Sequence, residues 1–187
     1  AGVPGWPALL PSNLERLRRP LAETVVAKGR AATQMPGFAD RLSADEIRQV
    51  VDLVYREPAG KPVWDAAQII ASRIEYRKAG ELPPRPVFSA DPLNLFVVVE
   101  GGDHHVSILD GDRLEPMARF ASRYALHGGP KFSPDGRFVY FASRDGWISK
   151  YDLWSLSLVS EVRAGLNTRN AAVSVDGKYV MVANYLP

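Results

Sequence analysis

Cysteine is absent from the 187 residues, which excludes disulfides, cysteine-ligated zinc and thiol catalysis. No apolar run approaches the ~18 residues that cross a bilayer; the longest, such as Leu95 to Val99, have the length of a strand. Neither sign of charge dominates. The 23 Lys and Arg against 21 Asp and Glu leave +2, and the one basic cluster, Arg16-Leu17-Arg18-Arg19, is short, so nucleic acid is not an expected partner. No Gly-x-Ser-x-Gly or phosphate-cradling glycine loop occurs, and Asp110 and Asp152 read as turn residues rather than an acid/base pair. The opening Ala-Gly-Val-Pro-Gly-Trp lacks the charged start and apolar core of a signal peptide. Ala1 stands where an initiator methionine would, so a processed or incomplete chain is expected.

What is present falls into a helical part and a β part. Over residues 1–57, Pro11-Ser12-Asn13 offers a cap for a short turn through Leu14 and Leu17, Leu21 to Lys28 reads as a helix, and Gly29 stands where it stops. A loop, Thr33-Gln34-Met35-Pro36-Gly37-Phe38, precedes a Ser43/Glu46 capping box and an apolar stripe of Ile47, Val50, Val51 and Val54, ended by Pro58. Residues 58–92 are a linker punctuated by prolines 62, 83, 84, 86 and 92, with a short helix inside Trp64 to Arg73 and a strand at Ile74 to Arg77.

Residues 93–187 alternate as β-strands: Leu95 to Glu100, Val106 to Leu109, Phe138 to Ser143, and one ending at Asp152. Val106 to Asp110 recurs as Ile148 to Asp152, and Ser133 to Val139 as Ser174 to Val180, each about 42 residues on. That period, with four short strands per unit, marks a β-propeller; a β-sandwich with similar turns is the alternative. Only about two units are present, whereas a propeller closes with four or more, so the sequence is expected to be an internal piece of a longer polypeptide.

Within Tyr124 to Trp154, His127 stands at the mouth of an apolar strand and Arg144 in the Arg-Asp-Gly turn at the next strand end. The two together point to a ligand on one rim of the meander. Arg137 and Lys178 occupy equivalent turn positions and read as structural, while His104 and His105 on a hairpin turn are expected to be solvated.

Two stretches resemble known families. The Thr-x-Met-Pro-Gly-Phe loop and the Leu-Ser-x-x-Glu-Ile helix resemble the C-terminal half of a class I c-type cytochrome, and Pro4 to Leu10 the loop after its haem-attachment motif. Tyr-Ala-x-His, Ser-x-x-Gly-Arg, Arg-Asp-Gly and Asp-Leu-Trp in one blade resemble the d1-haem propeller of the cytochrome cd1 family. The fold implied is a partial cytochrome c helical module at 1–57, a linker at 58–92, and the first blades of an eight-bladed β-propeller at 93–187.

The resemblance also implies a ligand set. Met35 falls on the haem c iron ligand and His127 on the axial ligand of the d1 iron, a neutral imidazole donor. Arg144, Arg169 and Tyr185 fall on positions lining the d1 macrocycle, whose carboxylates suit the planar guanidinium fork. Lys131 lies near a family arginine, offset by one residue. The cofactors implied are haem c, whose Cys-x-x-Cys-His attachment motif is not in this sequence, and haem d1 or dihydro-haem d1.

One departure separates branches of the family. Nitrite reductases carry an arginine on the strand after a Leu-Phe pair; here Leu95-Phe96 is followed by Val97-Val98-Val99-Glu100-Gly101. The run His-Gly-Gly-Pro-Lys-Phe-Ser-Pro-Asp-Gly-Arg is closer to the branch that oxidises dihydro-haem d1 to haem d1. The implied function is that of a periplasmic electron-transfer oxidoreductase of d1-haem biosynthesis, passing electrons to haem c. Its partners would be an electron-acceptor protein or a nitrite reductase that receives d1 haem. A nitrite reductase forming nitric oxide, and a haem-free propeller that binds proteins, are the alternatives.

Overall fold

A computed structural model describes residues 14, 16–32, 35–57, 59–60 and 63–186. The expected cap at Pro11-Ser12-Asn13, the 4–10 loop, Thr33-Gln34 and prolines 58 and 62 lie outside the described residues. The chain separates into a helical unit that ends at Pro62 and a β unit from Val63 onward.

In the helical unit, α1 (Arg19–Lys28) begins with a proline in its first turn and stops at Gly29, whose N–H donates to the Val25 carbonyl at 2.8 Å and whose φ of 73° turns the chain out of the helix. A Cβ on Gly29 would lie 2.6 Å from the Met35 carbonyl oxygen, and one on Gly37 2.7 Å from that of Ala27. The bare backbones therefore let the methionine loop cross the end of α1 closely, and Phe38 N–H donates to Val26 at 3.0 Å. Helix α2 (Ala44–Val54) carries the expected capping box: Ser43 N–H donates to Glu46 Oε2 at 2.8 Å, and Glu46 N–H to Ser43 Oγ at 3.3 Å. Ile47 and Val51 are buried, while Val50 stands exposed at the margin of the stripe.

The β unit opens with α3 (Ala66–Ala71), capped by Asp65. Strand β1 (Ile74–Glu75) is shorter than the sequence pattern predicts, because Tyr76 and Arg77 both turn their N–H groups onto the Val159 carbonyl, at 2.9 and 3.1 Å. Nine more strands follow: β2 (Leu95–Glu100), β3 (His105–Asp110), β4 (Pro116–Ala121), β5 (Lys131–Phe132), β6 (Phe138–Ala142), β7 (Trp147–Asp152), β8 (Ser157–Arg163), β9 (Asn167–Val173) and β10 (Val180–Leu186). They form three antiparallel sheets, ordered β2-β3-β4, β1-β8-β7-β6-β5 and β10-β9.

The repeat is visible in the register. Strands β5 to β8 form one complete meander; β2, β3 and β4 are its second to fourth strands one period earlier, and β9 and β10 its first two one period later. The turns repeat as well. Phe138 N–H donates to Ser133 Oγ and Tyr179 N–H to Ser174 Oγ, at 2.8 and 3.0 Å, with Gly136 and Gly177 at φ 72° and 70°. Consecutive sheets pack face to face, as successive propeller blades do. Phe120 of β4 stacks on Tyr151 of β7 at 4.3 Å over buried Val106, Ile108, Val139 and Phe141. Ala142 and Ile148 bury against Ala171 on the other side.

Two carboxylates tie the β unit together. Glu161, buried on β8, accepts from Arg123 and from Tyr76 Oη at 2.9 Å, and from Ser149 Oγ at 2.6 Å, which fastens the β1 segment to the blade. Burial pushes its carboxyl up, but the hydrogen bonds from Arg123, Ser149 and Tyr76 outweigh it and hold the carboxyl below the ordinary range. Glu100, held by a two-point bond from Arg119 and by Ser107, is lowered to about 2. A carboxyl whose pKa is lower folded than unfolded stabilises above the unfolded value and loses that contribution as pH falls through the folded one. The thermal midpoint of the β unit is therefore expected to hold from pH 7 to 5 and to fall between pH 4.5 and about 2, with Glu100→Gln flattening the lower part of the descent. An unchanged profile in that variant would remove Glu100 from the account.

Candidate functional site

The site is built where the segment before β5 runs beside the end of β6. Leu126 bridges Ser143, His127 N–H donates to the Ala142 carbonyl at 2.8 Å, and Arg144 N–H to that of Ala125 at 3.1 Å. This brings the His127 and Arg144 segments side by side, as the meander pattern predicts. His127 is solvent-exposed, and its Nδ1 lies 2.8 Å from the main-chain carbonyl of Arg169 on β9. A carbonyl can only accept, so Nδ1 carries a proton, and in the neutral imidazole Nε2 is then the nitrogen with the free lone pair. Metal-ligating histidines usually have their second ring nitrogen held in this way.

The other sequence-predicted residues divide around it. Arg169 lays its guanidinium over the Tyr185 ring, 4.6 Å from the centroid, so that His127, Arg169 and Tyr185 form one chain of contacts. Arg144 is exposed. Neither Arg144 nor Arg169 has a carboxylate partner among the described residues, whereas Arg119, Arg123 and Arg137 are each committed to one. Lys131 turns its ammonium back onto the carbonyls of Gly128 and Gly129. Met35 stands exposed in its loop of the helical unit.

Beside His127 is a pocket of about 280 Å³, walled by Val97, Val99, Leu126, Phe141 and Ala142 as well as by His127 itself. Sequence reasoning missed this wall, although the bare Val97-Val98-Val99 run was its signal. An open imidazole lone pair, two uncommitted guanidinium groups, a tyrosine and an apolar wall fit a flat, carboxylate-bearing, iron-containing macrocycle. His104 is half-buried rather than solvated: its ring lies 4.9 Å from that of Tyr124, and it accepts from Ala125 N–H at 3.4 Å.

The family model described as Cytochrome D1 heme domain matches residues 90–187. The chain belongs to that family. It is 61% identical to the Dihydro-heme d1 dehydrogenase of Pseudomonas aeruginosa over 97% of its own length, and spans 37% of that relative. It is 25% identical to the Nitrite reductase of Stutzerimonas stutzeri over 88% of its length, spanning 30% of that protein. A solved structure, Dihydro-heme d1 dehydrogenase NirN in complex with DHE, superposes with a TM-score of 0.86 at 61% identity, covering 97% of this chain and 39% of that one. Among the described residues no helix is long and apolar enough to cross a membrane.

Proposed function

We propose that this chain is part of a periplasmic dihydro-haem d1 dehydrogenase, an oxidoreductase of d1-haem biosynthesis. The observation that carries the reading is the exposed His127 imidazole, held through Nδ1 by the Arg169 carbonyl with its Nε2 open, beside two uncommitted arginines. His127 binds the iron of the substrate, dihydro-haem d1. Arg144 and Arg169 orient its carboxylates by charge-assisted, two-point hydrogen bonds, and Tyr185 backs the Arg169 guanidinium. The apolar pocket excludes water from the edge of the ring. Lys131 serves the site by closing the 128–131 loop.

The reaction converts a propionate side chain into an acrylate: two C–H bonds break, one C=C bond forms, and two protons and two electrons leave. Haem c, when bound in the intact protein, supplies a one-electron acceptor, with Met35 as an iron ligand on the crossing of the loop over α1. An electron-acceptor protein, or a nitrite reductase that takes up d1 haem, is the partner downstream.

The test is anaerobic incubation of the full-length protein with dihydro-haem d1. Conversion to haem d1, read by absorption and mass, with reduction of two equivalents of haem c, is the expected result. Turnover of nitrite to nitric oxide with no conversion would favour the nitrite reductase reading, and a colourless purified protein the haem-free one.

A further inference from the structure

We infer that Gly128 is a positioning residue for the His127 imidazole, through the close approach that its bare Cα allows between the 127–131 loop and β9; this rests on His127 as the ligand of the macrocycle iron. A Cβ at Gly128 would lie 2.4 Å from Asn170 Oδ1, 2.8 Å from its Cγ and 3.1 Å from the Arg169 carbonyl oxygen, the same oxygen that accepts from His127 Nδ1. Asn170 cannot swing away freely, because its Oδ1 accepts from Ala171 N–H at 2.9 Å. A side chain at 128 therefore pushes the loop off the strand whose carbonyl fixes the imidazole. Lys131 holds the loop from its other side, donating to the Gly128 and Gly129 carbonyls.

Gly129 supplies an internal control. Gly128 and Gly129 both have positive φ, 84° and 70°, so alanine at either position meets a left-handed backbone penalty. A Cβ at Gly129, however, has only the Lys131 ammonium near it, at 3.9 Å. Comparing the two substitutions separates close approach from backbone strain.

The experiment uses full-length protein carrying Gly128→Ala or Gly129→Ala, with two readouts. In protein free of d1 macrocycle, imidazole ¹⁵N resonances report which nitrogen of His127 is protonated. The Nδ1–H form is expected to dominate in wild type and Gly129→Ala and to become a mixture in Gly128→Ala. In titrations with dihydro-haem d1, Gly128→Ala is expected to bind about 10–100-fold more weakly, the range seen when a metal ligand loses its outer support; Gly129 lines the pocket beside His127, so its variant is read by the tautomer alone. Removing the obstructing side chain, Asn170→Ala in the Gly128→Ala background, is expected to return the Nδ1–H signal. An equal change of tautomer in both glycine variants, an unchanged tautomer in Gly128→Ala, or no rescue by Asn170→Ala would each overturn the inference. Absence of His127-dependent binding in wild type would instead remove the ligand reading, and the tautomer measurement would still judge Gly128.

Discussion

Replacing His127 by alanine in the full-length protein is expected to weaken binding of dihydro-haem d1 by about 10²-fold or more and to abolish its conversion. The size follows from what is lost. Removing an outer-shell partner of a metal ligand typically costs 10–100-fold, and here the ligand itself goes, with no second histidine on the same segment to replace it. The iron spectrum separates this from a general loss of fit, since a changed axial ligand alters the absorption of whatever macrocycle still binds. The Arg169→Ala variant makes the comparison sharper. It removes the guanidinium over Tyr185 but leaves the main-chain carbonyl that holds His127 Nδ1. Its expected effect is weaker binding by about 10–100-fold, the worth of a charge-assisted hydrogen bond or two, with the iron spectrum unchanged. Wild-type binding and spectrum in His127→Ala would show that this imidazole does not meet the iron.

The sequence made the local features readable and left the long-range ones out of reach. The Ser43/Glu46 capping box, the Gly29 stop and strand β2 at Leu95–Glu100 appear as the residue pattern predicts, because each is decided by neighbours within a few positions. The Ser-x-Asp-Gly turns likewise announce their own hydrogen bonds. Strand β4 was not legible: Pro116-Met-Ala-Arg-Phe-Ala121 alternates poorly, and only pairing with β3 and the stacking of Phe120 on Tyr151 make it a strand. Nor was the pairing of Ile74 with Glu161, which joins segments far apart in the chain. At the site, His127 and Arg144 could be singled out as residues, but the partner that prepares the imidazole is a backbone carbonyl, and a carbonyl has no residue signature. The same holds for Lys131. A lysine near a cofactor position reads as a free cation, yet carbonyls three and two residues back are within reach of its ammonium. The close passage of Gly128 over Asn170 could not be inferred from two adjacent glycines.

Arg137→Ala is expected to destabilise the β unit by about 3–5 kcal/mol, the cost of leaving a buried ion without its partner. Asp152 is fully buried, and Arg137 meets it with two bonds, Nε to Oδ1 at 2.8 Å and a terminal nitrogen to Oδ2 at 3.1 Å. The same guanidinium donates to the Pro83 carbonyl at 3.0 Å and stacks over Trp154 at 4.4 Å, so it joins the 83 region, the β5–β6 turn and the end of β7. Truncation strands the Asp152 carboxylate beside an emptied volume, with the backbone N–H of Trp154 at 3.3 Å as its remaining donor among the described residues. Urea unfolding followed by tryptophan fluorescence measures the loss, because Trp154 lies under the missing group. Two comparisons fix the cause. Lys178→Ala, at the equivalent turn one repeat later, removes only an exposed contact to Asp176 at 3.6 Å and is expected to cost less than about 0.5 kcal/mol. Replacing both partners together, Arg137→Met with Asp152→Leu, is expected to cost less than Arg137→Ala alone, since no charge is then left buried and unpaired. If the single variant loses under about 1 kcal/mol, the pair behaves as a solvated surface contact, and this end of the blade is held by its apolar packing instead.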